Sequence, residues 1–209
     1  MTFGAPDILD VVTHVANAAL RAAWCQKWHL HMRLRPEVFG ARIHQVMVGN
    51  ANYPIHSDAL NAQALKAVYG NTGSYLLPIA YPEGSPAHPS YPAGHAAIAG
   101  ACVTVLKAFF NESFAIPAPV VASADGTALQ PYDGTLTVGD GLNKLAANIA
   151  LARDTAGVHY RSNGIDGLNL GESVTVGMLH DIALTYHEDF SGFTFTRFDG
   201  STRTICPNC

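Results

Sequence analysis

The sequence predicts an all-α protein, a helical bundle that ends in a short β-hairpin. Residues 8–34 carry apolar side chains at helical intervals and contain neither glycine nor proline. A second apolar stripe with the same period begins near Gly94. Residues 193–205 alternate apolar and polar side chains around Asp199-Gly200, a dipeptide that favours a tight hairpin turn. We therefore expect helices to form the core and strands to occur at the C-terminal end.

Three further helices are predicted in the remaining chain. The first covers about 57–69, begins with a serine that suits an N-cap and stops at Gly70. The other two cover about 141–157 and 169–187, with a turn expected at 162–164 between them.

Two long stretches are predicted to be loops because they are rich in proline, glycine and small polar residues. Residues 70–92 lead to the helix at Gly94 and carry His88 towards it. Residues 111–139 are long enough for a surface excursion rather than a tight turn.

Length and composition indicate one domain, because 209 residues can bury a substantial core. We expect a single helical domain over 1–209, with the bundle at about 8–190 and the hairpin and tail at 191–209. With 48% hydrophobic and 13% charged residues, the chain is apolar for a soluble monomer. This surplus favours a homo-oligomer, or contact with a missing N-terminal segment.

Two partner classes are disfavoured by the charge and hydropathy patterns. The formal net charge is −4 and the lysines and arginines are dispersed, which argues against nucleic-acid binding. No segment approaches the roughly 20 apolar residues of a membrane span. Asp7 and Asp10 stand where a signal peptide would be basic. We expect a soluble chain without a targeting signal, and its localisation stays open.

The four cysteines define no site. Cys25 and Cys102 fall in apolar helical patterns, while Cys206 and Cys209 form a C-terminal CPNC. A zinc site would need a second such pair and a redox motif a strand-to-helix context, and neither is found. A loose tail is favoured, with a disulfide as the first alternative and a metal site as the second.

Three separated segments carry cations that could close around one anion. Lys27 and Arg35 stand eight residues apart and are expected on one helix, while Arg153 and His159 form an Arg-x5-His element. Gly94, at a helix start, would let the backbone approach an anion and point a free amide at it. Fixed positive charge and free amides together indicate a pocket for a tetrahedral oxyanion.

Two histidines are the candidate groups for chemistry in this pocket. A neutral imidazole at His159 can ligate a metal centre or attack phosphorus, and a second at His95 can move protons. Taken singly, each cation could equally be a solvated helix charge, and Gly94-His95 a plain helix entry. The combination is what favours a site.

In these motifs the chain resembles the vanadium-dependent haloperoxidases and their relatives, the type-2 phosphatidic acid phosphatases. Lys-x7-Arg-Pro at 27–36, Pro-small-Gly-His at 92–95 and Arg-x5-His at 153–159 occur in that order. HPSYPAGHA, DGTALQPYDG, LNKLAANIA and AGVHYRSNG are similar to algal and cyanobacterial bromoperoxidases. The resemblance covers most of residues 15–190 and implies the catalytic C-terminal bundle of this family.

The resemblance implies a vanadate site, residue by residue. His159 would be the axial ligand of vanadium(V), and His95 would be the acid–base group. His88 looks like the additional histidine of bromoperoxidase sites, and with His95 and Lys27 it completes the implied catalytic set. The vanadate oxygens would be held by Lys27, Arg35, Arg153 and the amide of Gly94.

The implied enzyme is a bromoperoxidase with vanadate as cofactor. It would oxidise bromide with hydrogen peroxide to hypobromous acid, which brominates small organic acceptors. Family members are usually far longer and contain two bundles, so the absent bundle or a second subunit would cover one face. Some relatives make secretion or the cell wall a possible location.

Three positions depart from the family pattern. Ala93 and Ala152 replace serines, and Asn163 replaces an aspartate four residues beyond His159. Losing the hydroxyl at Ala93 removes a bond to a charged group, typically worth about 1.5–3 kcal/mol. Asn163 can fix the tautomer of His159 but cannot stabilise its cation, which disfavours phosphatase chemistry. An acid-type phosphatase and a noncatalytic oxyanion-binding module remain the alternatives.

Overall fold

The computed structural model describes residues 4–187 and 189–207 of the chain. Within these residues, four long helices form a bundle. They are α1 (Ala5–Cys25), α5 (Gly94–Phe109), α6 (Val138–Thr155) and α7 (Arg161–Ala183). Shorter helices are α2 (Pro36–Met47), α3 (Ser57–Leu60) and α4 (Gln63–Thr72). Two antiparallel hairpins pair β1 (Val120–Ala122) with β2 (Leu129–Pro131) and β3 (Phe193–Thr196) with β4 (Thr202–Ile205). The predicted helical bundle with a C-terminal hairpin is confirmed.

Helix α5 is the central element and packs against α1, α6 and α7. Small residues make the closest of these contacts possible. A Cβ at Gly171 of α7 would overlap the backbone of Ala97 and Ala101 on α5, and a Cβ at Gly100 would overlap the backbone of Leu168. The helices therefore approach backbone to backbone, which fixes the start of α5 relative to α7.

The single helix predicted over 8–34 is wrong at its C-terminal end. Helix α1 continues into a π-helical turn, Gln26–His31, which ends at Met32 in the left-handed region with φ 44°. Arg35 is the extended residue before helix α2, which begins at Pro36. A residue that precedes proline avoids helical backbone, and proline is favoured at a first helical position. Lys27 and Arg35 are consequently presented by two different elements.

Two other predicted boundaries are also wrong. The helix predicted at 57–69 is divided into α3 and α4, its N-cap is His56, and it passes Gly70 to end before Gly73 at φ 68°. The turn predicted at 162–164 is the first turn of α7. Gly164 marks a close helix contact there, because an added Cβ would lie 3.2 Å from Cβ of Ala150.

The C-terminal hairpin is confirmed and is fastened to the bundle by buried polar groups. Glu172 of α7 accepts hydrogen bonds from Nε of Arg197 at 2.8 Å and from the amide of Phe198 at 2.7 Å. Lys107 of α5, fully buried, donates to the carbonyl of Thr196 at 2.6 Å. Phe193 and Phe195 of β3 belong to the hydrophobic core.

The remaining expectations concern the loops and the cysteines. The surface excursion at 111–139 contains the exposed hairpin β1–β2. Cys206 is disulfide-bonded, so the favoured loose tail is wrong at this cysteine, and Cys209 lies outside the described residues. Cys25 and Cys102 are free thiols. Within the described ranges, none of the helices has both the length and the apolar character needed to traverse a bilayer.

We expect Gly171→Ala to lower the free energy of unfolding by about 1–3 kcal/mol, because the added methyl meets backbone that cannot move aside. Gly177→Ala is the matched control on the same helix. It meets nothing within 4 Å and should raise stability by about 0.5–1 kcal/mol through helix propensity. Urea unfolding of both variants measures the difference, and equal effects would contradict the close packing of α5 and α7.

Candidate functional site

A cavity of about 240 Å³ lies where the π-helical turn, the start of α5 and the end of α6 meet. It brings together all seven site residues predicted from the sequence, which are Lys27, Arg35, His88, Gly94, His95, Arg153 and His159. Leu20, Trp24, Pro86 and Ile98 complete the lining. The proximity of the seven residues is observed, while their roles in binding and catalysis remain predictions.

Lys27 is fully buried at the first turn of the π-helical segment. Its Nζ donates a hydrogen bond to the carbonyl of Pro89 at 2.7 Å. Burial, together with the nearby charges of Arg35 and Arg153, lowers the pKa of Lys27 to about 7. A bound anion would reverse the charge effect, so the lysine is poised to gain a proton as an oxyanion enters.

Arg35 is 4% exposed, and all three nitrogens of its guanidinium make contacts. Its Nη2 lies 3.1 Å from Nδ1 of His88. Its Nε donates to the carbonyl of His88 at 2.9 Å, and its Nη1 donates to the carbonyl of Val158 at 2.9 Å. The same Nη1 lies 3.0 Å from Nε2 of His159. Burial and Arg153 lower the pKa of Arg35 to about 10, which leaves the guanidinium charged at neutral pH.

His159 is buried and presents Nε2 as a lone-pair acceptor. Its Nδ1 lies 3.1 Å from Oδ1 of Asn163, an atom that also accepts from the amide of Tyr160, so Nδ1 is assigned as the protonated nitrogen. Burial lowers the pKa of His159 to about 3; Asn163 opposes this shift, and the cations Arg35, Lys27 and Arg153 reinforce it. The imidazole is therefore neutral at physiological pH, the state required of a metal ligand.

The other two histidines of the cavity are His95 and His88. His95 is the second residue of α5, and burial with the charges of Arg153, Arg35 and Lys27 lowers its pKa. Burial and the nearby cations also lower the pKa of His88, whose ring packs 4.9 Å from the ring of Trp24. The lowered pKa favours the neutral form of both imidazoles.

Gly94 is the first residue of α5, where backbone amides have no partner within the helix. A Cβ at this position would lie 3.4 Å from Leu20, so a larger residue would narrow the cavity. Ala93, which replaces the family's serine, is fully buried beside Ala96 and Ala150 and does not line the cavity.

The donor set fits an oxyanion. Three cations and one helix start face the cavity, and no aspartate or glutamate lines it among the described residues. Nε of Arg153 is buried without a hydrogen-bond partner. Buried donors and repelling cations are stabilised by an anion of several oxygens. Among the described residues, no group of three or more His, Cys, Asp or Glu could hold a bare metal ion.

Two aromatic side chains at the site were missed by the sequence reasoning, one that lines the cavity and one that contacts Arg153 from outside the lining. Trp24 lies one helical turn before Lys27 and could have been found from that spacing. Tyr81, whose hydroxyl contacts Arg153 at 3.2 Å, lies in a loop that has no periodic pattern to reveal it.

Comparison with known proteins finds similarity to vanadium-dependent bromoperoxidases. A family model described as the VCPO second helical-bundle domain matches residues 9–187. Vanadium-dependent bromoperoxidases from Corallina pilulifera and Corallina officinalis are each 42% identical over 226 residues, covering 98% of this chain and 38% of theirs. The vanadium-dependent bromoperoxidase of Ascophyllum nodosum is 42% identical over 198 residues, covering 88% of this chain and 35% of its own.

A solved structure agrees with these matches. The homohexameric second vanadate-dependent bromoperoxidase of Ascophyllum nodosum, AnII, superposes with a TM-score of 0.85 at 28% identity. The match covers 99% of this chain and 41% of that chain. The chain thus spans about two fifths of the length of the relatives it matches.

We expect Asn163→Asp to raise the pKa of His159 from about 3, because a carboxylate beside Nδ1 stabilises the imidazolium. Imidazole ¹⁵N chemical shifts followed by NMR against pH measure the change. Asn169→Asp, at an exposed position of the same helix, is the control and should leave His159 unaffected. An unchanged titration in Asn163→Asp would show that the Asn163 contact does not govern this histidine.

Proposed function

The chain belongs to the vanadium-dependent haloperoxidase family, and from this premise we propose that it is a vanadate-loaded bromoperoxidase. It would oxidise bromide with hydrogen peroxide and release hypobromous acid, which brominates small organic acceptors. The observation that carries the proposal is the convergence of three cations, a helix start and three neutral histidines on one cavity without a carboxylate among the described lining residues.

The residues that would hold vanadate divide into two groups. Nε2 of His159 would bind the vanadium. The oxygens would be held by charge and hydrogen bonds from Lys27, Arg35, Arg153 and the amide of Gly94. When bound, the vanadium(V) would supply a Lewis acid that polarises hydrogen peroxide towards attack by bromide.

Arg35 has to exchange a contact when the site is loaded. Its Nη1 faces Nε2 of His159 at 3.0 Å, so binding at Nε2 requires this guanidinium to turn its donor to an oxygen instead. The bonds from Arg35 to the carbonyls of His88 and Val158 can persist, and they limit the movement. The guanidinium thereby changes partner without leaving the cavity.

Proton transfer falls to the two neutral histidines. The net reaction combines hydrogen peroxide, bromide and one proton to give hypobromous acid and water; the O–O bond breaks, and bromide loses two electrons. His95, at the start of α5, is the proposed acceptor of the peroxide proton and the donor to the departing water oxygen. His88 is proposed to assist, and Lys27 to carry positive charge towards the developing negative oxygen.

We propose that residues 1–209 form one vanadate-binding domain, and that part of its surface is covered by another subunit or bundle. Large apolar side chains are exposed at separated points, including Leu9 at 70%, Leu30 at 65% and Leu129 at 72%. AnII is a homohexamer, and its length exceeds that of this chain more than twofold. A second copy of the chain, or a further bundle, would cover these side chains.

We expect the purified chain to brominate a dimedone-type acceptor only when vanadate, hydrogen peroxide and bromide are all present. His159→Ala should lower this rate by at least about 100-fold, because the metal would lose its protein ligand. His180→Ala, an exposed histidine on α7, is the matched control and should retain the rate. Bromination that does not depend on vanadate would contradict the proposal, and turnover of a phosphomonoester in its place would favour the phosphatase.

A further inference from the structure

Arg153 is held differently from the other two cations of the cavity. Lys27 donates to a main-chain carbonyl, and Arg35 donates to two of them. Within the described residues, the hydrogen bond of Arg153 goes instead to a side chain, from Nη1 to the hydroxyl of Tyr81 at 3.2 Å. The orientation of this guanidinium therefore depends on one phenol rather than on the backbone.

Tyr81 makes a second contact with the same group. Its ring centroid lies 5.6 Å from Cζ of Arg153, within the range of a cation–π interaction. The hydroxyl and the ring together restrain the guanidinium from one side. Nε of Arg153 is buried and has no hydrogen-bond partner, so this donor is available to an oxygen of a bound ligand.

The backbone around Tyr81 is fixed to the helix end that carries Arg153. The amide of Ala80 donates to the carbonyl of Ala156 at 3.1 Å, directly after α6. Ile79 packs so closely against Gly157 that an added Cβ there would come within 2.8 Å of its side chain. Tyr81 and Arg153 are thus positioned by one local structure.

We propose that Tyr81 is the positioning residue of Arg153, which it aims at an oxygen of the bound oxyanion. This inference rests on the proposed function, because it assigns Arg153 to vanadate. Tyr81 is 39% exposed and belongs to none of the core clusters, so we expect its substitution to have little effect on stability. A tyrosine that merely covered the surface would have no effect on anion affinity.

The experiment measures vanadate binding directly, by equilibrium dialysis of the full chain against orthovanadate with quantification of bound vanadium. Tyr81→Phe removes the hydroxyl and keeps the ring, and we expect it to weaken binding about three- to tenfold. Tyr81→Leu removes both contacts and should weaken binding further. Tyr75→Phe is the control, since Tyr75 lies in the same loop and stacks on Tyr69 at 4.4 Å, whereas the hydroxyl and ring contacts of Arg153 in the described residues are made by Tyr81.

A double-mutant cycle with Arg153→Gln separates positioning from a general structural role. Because Tyr81 would act through Arg153, Tyr81→Phe should have no further effect on affinity in the Arg153→Gln background. Unchanged thermal unfolding midpoints for the Tyr81 variants would support this assignment, because the loss of affinity would then occur in a folded protein.

Three results would overturn the inference, and they are distinguishable. Equal vanadate affinity in Tyr81→Phe and Tyr75→Phe would remove the role of Tyr81 and leave the proposed function intact. A loss of affinity that persists in the Arg153→Gln background would show that Tyr81 does not act through Arg153. A wild-type chain that binds no vanadate would overturn the proposed function, and the inference with it.

Discussion

The site depends on the bonds between its buried cations and main-chain carbonyls. Lys27, Arg35 and Arg153 repel one another in a cavity without a carboxylate among its described lining residues. The carbonyls of Pro89 and His88 offset part of this repulsion and at the same time fix the loop that carries them. The conformation of the loop and the charge of the site are therefore set by the same interactions. The π-helical turn positions Lys27 for its bond to Pro89, and the extended backbone before α2 positions Arg35 for its bond to His88.

The second constraint is the close approach of α5 and α7, which joins the two ends that carry the chemistry. The amide of Ala93, just before α5, donates to the carbonyl of Asn163 at 3.0 Å, in the first turn of α7. Asn163 in turn holds the imidazole of His159. Asn163 thus connects the start of α5, at Gly94, to His159 through its two hydrogen bonds. The close glycine and alanine contacts further along α5 and α7 fix the position of the two helices relative to each other.

The sequence was sufficient to predict the fold class and which residues converge, because both follow from periodicity and from motifs in order. The sequence-based prediction was wrong where one residue type is compatible with two local structures. Gly164 was interpreted as a turn residue, yet it serves a helix contact. Lys27 and Arg35 were assigned to one helix because the apolar period continues to Leu34, while Pro36 begins a new helix. The contact of Tyr81 with Arg153 was beyond prediction, since it arises from the path of an irregular loop.

The cavity lining separates into a charged half and an apolar half. Leu20, Trp24 and Ile98 form the apolar half and make no hydrogen bond to the anion-binding groups among the described residues. Under the proposed function, substitutions of these three side chains would change which acceptors reach the site, while Lys27, Arg35 and their carbonyl partners stay as they are. Substitutions in the charged half carry no such freedom, since each cation there also secures a loop. The choice of acceptor would accordingly depend on the apolar half of the lining.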